Sequence, residues 1–247
     1  MNRTIKKVAV LGSGIMGSRI ACHLGGVGLQ VLLLDMIAKE DEASTAPKQR
    51  NRLVNDALQA AIKSNPSPVY HSDVIKNITT GNFTDDLSKI NSCDWIIEVV
   101  VERLDIKQQV FSEVEKYRKP GTLISSNTSG IPISIMAEGR SDDFKKHFCG
   151  THFFNPPRYL RLLEVIPTSY TDPEVIKFFL QYGDLILGKT TVLCKDTPAF
   201  IANRIGVFSM MAIMHAMENQ QLSIDEVDTL TGPIIGRPKS ATFRTAD

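Results

Sequence analysis

The stretch that most limits what this chain can fold into is KVAVLGSGIMGSRIACHL, residues 7–24. A short apolar run ends in Gly12-x-Gly14-x-x-Gly17 and passes straight into a helical pattern. That order predicts a buried strand, a tight turn and a helix whose first turn faces the turn. Gly12 permits the tight turn, Gly14 lets a ligand approach the backbone, and Gly17 allows the helix to pack close to the strand. A helix start of this kind offers unpaired N–H groups and a positive dipole end to a pyrophosphate.

Alone, the glycine pattern is a weak signal. Here a second apolar run, VLLLD, ends in Asp35, at the spacing where a carboxylate receives the ribose hydroxyls of a dinucleotide. The residue after Asp35 is Met36 and not Arg, which favours NAD over NADP. WIIEVV (95–100) and TLISSN (122–127) are further apolar runs, as strands buried on both faces require. Helical patterns at 15–28, 47–63, 105–118 and 134–139 separate them. In 47–63, Leu53, Ala57, Leu58, Ala61 and Ile62 fall on one face. The alternation predicts an α/β fold with a Rossmann-type doubly wound sheet.

From about residue 147 the rhythm changes. FCGTHFF and RLLEVIP are strands joined by a Pro-rich turn, which predicts an antiparallel addition to the sheet. A helix follows, with Asp172 as N-cap and Pro173 at its first position, then a strand in TTVLCKD. Beyond Pro198 the pattern is helical. The expected organisation is a dinucleotide-binding domain over 1–196 and an incomplete all-helical substrate and dimerisation domain over 197–247.

Lys and Arg total 28 against 27 Asp and Glu, a net charge of +1, which gives no reason to expect nucleic acid as a partner. No apolar run approaches membrane-spanning length. Cys22, Cys93, Cys149 and Cys194 are far apart with no C-x-x-C pair, so no metal site is expected and a cytoplasmic setting is the default.

GTHFFNPPRYLRLLEVI (150–166) places His152 and Glu164 inside runs that read as buried strand. A lone His there is most often a packed core residue. The alternative is a base held dry, with a carboxylate to orient it. His71, His147 and His215 have no such partner in the sequence and read as surface or core residues.

Taken together, GSGIMGSRIA, IIEVVVERLDIKQQVF, SSNTSGIPIS, GTHFFNPPRYLRLLEVI and CKDTPAFIANRIG resemble the L-3-hydroxyacyl-CoA dehydrogenases of fatty-acid β-oxidation. The tail GPIIGRPKSATFRTAD looks closer still to large multidomain bacterial members fused to an enoyl-CoA hydratase. The segment 36–50 matches weakly, and only the first part of the helical domain is present. The resemblance implies an NAD-dependent enzyme that oxidises 3-hydroxyacyl-CoA to 3-ketoacyl-CoA. It makes His152 the catalytic base and Glu164 its partner, with Ser129 and Asn203 holding the reacting and acyl oxygens. Gly12, Ser13, Gly14, Ile15, Met16, Gly17, Asp35, Glu102, Lys107, Asn127 and Ser129 would contact NAD, Glu102 and Lys107 on the nicotinamide ribose side. On composition alone, Glu102 and Lys107 are an exposed pair and Ser129 an ordinary turn residue.

Coenzyme A carries phosphates, so basic residues should gather at one mouth of the cleft. Lys48, Arg50, Arg52 and Lys63 are available, and Lys63 is the named candidate. A dehydrogenase of a free 3-hydroxy acid and a non-catalytic NAD-binding module stay open as alternatives. Met210, Met211, Met214 and Met217 would lie on a helix lacking its usual neighbours. The chain is therefore expected to be part of a longer protein and to self-associate through 198–230.

Overall fold

The computed structural model describes residues 3–237 and 241–246. Pro238, Lys239, Ser240 and Asp247, part of the tail motif quoted above, lie outside the described residues. The chain divides into two compact units, Met1–Phe200 and Ile201–Asp247. The break follows Phe200 rather than Asp196. Phe200 is 3% exposed and packs with Ile166 and Cys194, so it belongs to the core of the first unit.

The first unit begins with β1 (Lys7–Leu11), α1 (Ile15–Gly26) and β2 (Gln30–Asp35), followed by α2 (Pro47–Arg50), α3 (Arg52–Ile62), β3 (Ile78–Asn82) and α4 (Phe83–Asp86). Next come β4 (Trp95–Glu98), α5 (Leu104–Tyr117), β5 (Leu123–Ser126), α6 (Ile133–Met136) and α7 (Asp142–Lys146). β6 (Phe148–Phe153), β7 (Leu162–Pro167), α8 (Pro173–Leu185) and β8 (Thr190–Leu193) complete it. The second unit contains α9 (Ala202–Gln220), α10 (Ile224–Leu230) and α11 (Phe243–Ala246).

The eight strands form one sheet in the order β3-β2-β1-β4-β5-β6-β7-β8. All neighbours are parallel except β6 and β7. The first six strands therefore have the order of a doubly wound dinucleotide fold, with crossovers on both faces. Alternation of side chains along each strand supplies two apolar layers. Val8, Val10 and Leu33 pack on one face with Ile20, Leu24 and Leu58. Ala9, Leu11 and Leu34 pack on the other with Leu87 and Val114.

β3 was not visible as an apolar run, because ITTGN carries two Thr, a Gly and an Asn. It is the edge strand, paired on one side only, so it needs no continuous apolar character. The helix expected over 47–63 is interrupted at Asn51. Its buried face is Val54, Leu58 and Ala61, and Leu53 is 36% exposed. α7, absent from the sequence reading, is five residues long and capped by Ser141, whose side chain accepts from the Phe144 amide. It is too short to show a period.

His23 in α1 lies edge-on to Phe153, with its Nε2 buried and unpaired. Burial, aided by the nearby Lys189 charge, pushes His23 down to about 4 from 6.5. The folded state thus resists protonating a group that the unfolded chain protonates readily. Its contribution is present above 6.5 and is lost as the pH falls toward 4. We expect about 2 kcal/mol less stability at pH 5 than at pH 7 from this group. Urea unfolding at the two pH values should show that loss, and a His23→Leu variant should lack most of it.

Candidate active site

The carboxyl ends of β1, β4, β5 and β6 converge on one rim of the sheet, where a doubly wound fold binds its ligand. At this rim Gly12 has φ +107, and a Cβ there would come 2.6 Å from the Val99 carbonyl oxygen. A Cβ on Gly17 would come 1.8 Å from the Gly12 oxygen. Both positions require glycine. A Cβ on Gly14 would meet nothing within 4 Å, so this side of the loop is open. α1 starts without a side-chain cap, which leaves the amides of its first turn for an anion.

The loop opens into a cleft of about 760 Å³ lined by Gly12, Gly14, Ile15, Met16, Asp35 and Val99–Val101, among others. Ile15 is 71% exposed within it. At its lip, Asp35 Oδ2 accepts from the Ser13 amide at 2.6 Å and the Ser13 hydroxyl at 2.5 Å. Asp35 thus holds the glycine loop and also presents a carboxylate to whatever the cleft receives. Arg50 lines the adjoining cavity with Met36, but its Nε and Nη2 donate to Asp85, at 2.6 and 2.8 Å, and its Nη1 to the Glu42 and Ser44 carbonyls. That pairing holds the Asp85 carboxyl down to about 2.

The base lies further along the rim. In the antiparallel β6–β7 ladder His152 stands directly opposite Glu164. His152 Nδ1 is 2.8 Å from Glu164 Oε2, and Nε2 is 3.0 Å from Ser129 Oγ. A carboxylate only accepts, so Nδ1 carries the proton and Nε2 presents its lone pair. Glu164 is 0% exposed and His152 4%, whereas Ser129 is exposed. The rings of Phe154 and Phe200 lie edge-on to the imidazole at 4.5 and 5.7 Å. The arrangement is a buried base whose Nε2 lone pair meets the exposed Ser129 hydroxyl.

Ser129 stands in the loop after β5, and Glu102 organises that loop. Its Oε1 accepts from the Thr128 hydroxyl and from the amides of Ser129 and Gly130, each at 3.0 Å. Burial pushes the Glu102 carboxyl up, but the Thr128 hydrogen bond, the Lys107 charge and the Gly130 amide outweigh it. The carboxyl stays below its usual range. Asp196 takes the next amides, Ile133 and Ser134, at 2.8 Å each. Asn127 ties the ends of β5 and β6 together by accepting from the Phe153 amide at 2.8 Å.

Lys107 is not the exposed partner of Glu102 that composition alone suggests. It is 1% exposed, with Nζ 2.7 Å from Glu98 and 3.2 Å from Glu102. Glu98, Ser126 and Thr128, which belong to this network, were missed in the sequence. Glu98 had a signal: a lone carboxylate in the apolar run WIIEVV has to find a buried partner.

The basic mouth expected for coenzyme A is only partly available. Arg50 is paired with Asp85, and Arg52 with Glu40 and Asp41. Lys48 and Lys63 are exposed, and Lys63 caps the end of α3. Asn203 lies in the first turn of α9, in the second unit.

Residues 7–197 match the family model described as 3-hydroxyacyl-CoA dehydrogenase, NAD binding domain. The chain belongs to the 3-hydroxyacyl-CoA dehydrogenase family. It is 51% identical to a probable 3-hydroxyacyl-CoA dehydrogenase of Bacillus subtilis, across 100% of this chain and 32% of that protein. It is 40% identical to a putative fatty acid oxidation complex trifunctional enzyme of Rickettsia felis, across 100% of this chain and 34% of that one. The chain thus spans about a third of the length of these two relatives. The crystal structure of (S)-3-hydroxybutyryl-CoA dehydrogenase from Ralstonia eutropha superposes with a TM-score of 0.76 at 25% identity. That match covers 95% of this chain and 79% of that one.

As a member of this dehydrogenase family, the chain takes NAD as its cofactor. The glycine loop, the uncapped start of α1 and Asp35 fit that cofactor. NADP should be a poor substitute, since Asp35 would repel its 2′-phosphate and Arg50 is already bound to Asp85. Titrating the chain with NADH and NADPH should show at least about tenfold tighter NADH binding, a gap that Asp35→Ala narrows. Equal affinities in the unaltered chain would refute this account of Asp35.

Proposed function

We propose that this chain carries the NAD-dependent oxidation of 3-hydroxyacyl-CoA to 3-ketoacyl-CoA in fatty-acid β-oxidation, with His152 as the base. The observation that carries the reading is the buried His152 imidazole, held between Glu164 on Nδ1 and Ser129 on Nε2 at the rim that holds the glycine loop. Oxidising a secondary alcohol removes a proton from the hydroxyl and a hydride from its carbon. Bound NAD would accept the hydride.

The hydroxyl proton passes to His152 Nε2, and the imidazolium that results is stabilised by Glu164 on Nδ1. Ser129, already within reach of Nε2, shifts its hydrogen bond to the substrate oxygen and orients it. Glu102 keeps Ser129 in place through the loop amides, with Lys107 fixing Glu102. Asn203 is assigned to the acyl oxygen, and the exposed Lys63 to a coenzyme A phosphate.

Supplying acetoacetyl-CoA and NADH tests the proposal in the reverse direction. Loss of NADH fluorescence with the thioester, and none with free acetoacetate, is the expected result. If NADH binds but neither compound is reduced, the assignment fails and a module that only binds NAD takes its place.

Self-association through the helical unit is part of the same proposal. None of the 19 residues of α9 is buried, and Ile205, Val207, Phe208 and Met211 are 47–73% exposed. An apolar helix surface of this kind favours contact with another copy. Light scattering should give a mass above that of one chain, and Phe208→Glu should lower it.

A further inference from the structure

Ser129 stands in the connection between β5 and α6, where neither a ladder nor a helical turn fixes the backbone. Backbone N–H groups need acceptors, and over 129–134 side-chain oxygens supply them. The Ser129 and Gly130 amides donate to Glu102 Oε1, each at 3.0 Å, and the Ile131 amide to the Thr128 hydroxyl at 3.1 Å. Pro132 has no N–H. The Ile133 amide donates to Asp196 Oδ1 and the Ser134 amide to Asp196 Oδ2, both at 2.8 Å. Two carboxylates, one at each end, thus hold the loop.

The Asp196 end is tied to the sheet. Ile133 is 0% exposed and packs with Ile166, Cys194 and Phe200. A Cβ on Gly150 would come 2.8 Å from Ile133 Cδ1, so this side chain lies against β6, two residues before His152. Asp196 itself follows β8, where the Cys194 amide continues the ladder by donating to the Val165 carbonyl at 2.9 Å. Its place is therefore set by strand pairing and not by the loop it holds. Four residues on, the Phe200 ring lies edge-on to His152, with 5.7 Å between centroids. The segment 196–200, which ends the first unit, bears on His152 directly and on Ser129 through its loop.

Resting on the reading of His152 as the base and Ser129 as the hydroxyl that orients the substrate, we propose that Asp196 is a positioning residue for Ser129. It fixes the far end of the loop to the sheet, as Glu102 fixes the near end. The Ser129 hydroxyl is thereby kept 3.0 Å from His152 Nε2. Without Asp196, the Ile133 and Ser134 amides lose their acceptor and turn to water. The loop then pivots on Glu102, and the hydroxyl spends less time on Nε2.

The Nε2 nitrogen reads this without turnover, because its NMR resonance depends on the hydrogen bond it accepts. Ser129→Ala gives the resonance with that bond absent. In Asp196→Ala, on the full chain, the resonance should move toward the Ser129→Ala position. Adding Asp196→Ala to Ser129→Ala should move it no further. Turnover should follow the same pattern, about tenfold lower in Asp196→Ala, as coupling within one hydrogen-bond network allows. No further loss is expected when Asp196→Ala is added to Ser129→Ala. Asp196→Asn, which keeps one acceptor oxygen, should fall between the original and Asp196→Ala, and it carries the test where Asp196→Ala does not fold.

An Nε2 resonance that stays in place in the Asp196 variants overturns the proposal. So does an equal loss of turnover in the unaltered and the Ser129→Ala backgrounds, which would make Asp196 a structural cap only. A shifted resonance in a chain that reduces no acetoacetyl-CoA would count against the proposed function and not against this role of Asp196.

Discussion

Replacing His152 with Ala should lower turnover by about 10²–10⁴-fold, the usual contribution of a positioned general base. At about 1.4 kcal/mol per tenfold, this is about 3–5 kcal/mol of transition-state stabilisation. NADH affinity should barely change, because the cofactor cleft is lined by the glycine loop, Asp35 and Val99–Val101. His152 bonds Ser129 and Glu164, not the loop. Steady-state rates and an NADH titration on the same preparation separate the two effects. Near-normal turnover in His152→Ala would end its assignment as base. Glu164→Gln should also slow the reaction, and the acid limb of its pH–rate profile should move to lower pH. The imidazolium then has an amide beside it in place of a counter-charge. A limb that stays or rises would make Glu164 structural only.

Lys107→Met should destabilise the first unit by about 3–5 kcal/mol, the range for removing one partner of a buried ion pair. The loss comes less from the missing attraction than from the Glu98 carboxylate left behind. Glu98 is 0% exposed, and the Val100 amide and Ser126 hydroxyl would be its remaining partners. Burial already pushes Glu98 up, against the pull of Lys107. Without Lys107 the folded carboxyl takes up a proton more readily than the unfolded one. The deficit should therefore be smallest below the ordinary carboxylate range and should grow as the pH rises through the raised folded value. Urea unfolding at pH 5 and at pH 7.5 reads this directly. Glu98→Gln combined with Lys107→Met should recover much of the loss. A Lys107→Met chain as stable as the original at pH 7.5 would show that the pair contributes nothing.

The Lys107 case shows why part of the site was hidden from a linear reading. The sequence places Glu102 and Lys107 five positions apart across a helix start, which on composition is a solvated surface pair. Folding sets Glu98 at the end of a central strand beneath them, and Lys107 becomes a buried tether between two carboxylates. The loop that carries Ser129 is then fixed by Glu102, whose partners come from residues 26 to 28 positions away. No local period reports such a contact.

What the sequence determined by itself were features written in short-range order. The glycine spacing imposes the strand–turn–helix, since a Cβ at Gly12 or Gly17 would collide with backbone. Continuous apolar runs make central parallel strands. His152 and Glu164 were legible as a pair because each is a polar residue in a strand that must be buried, on strands joined by a short turn.

Tertiary structure decided the rest. The polar edge strand β3 forms because β2 offers it a ladder, not because ITTGN prefers to be extended. The basic residues of 47–63 looked free for phosphate, yet Asp85, Glu40 and Asp41, brought near by the fold, take two of them. Val192 comes to lie beside Glu164 only because β8 adds in parallel beyond β7, and a register that joins residues 28 positions apart is set by sheet pairing alone. Local conformation depends on a residue and its near neighbours, and so it can be read along the chain. Charge pairing and hydrogen-bond partners depend on which surfaces are buried together, and the folded sheet alone sets that.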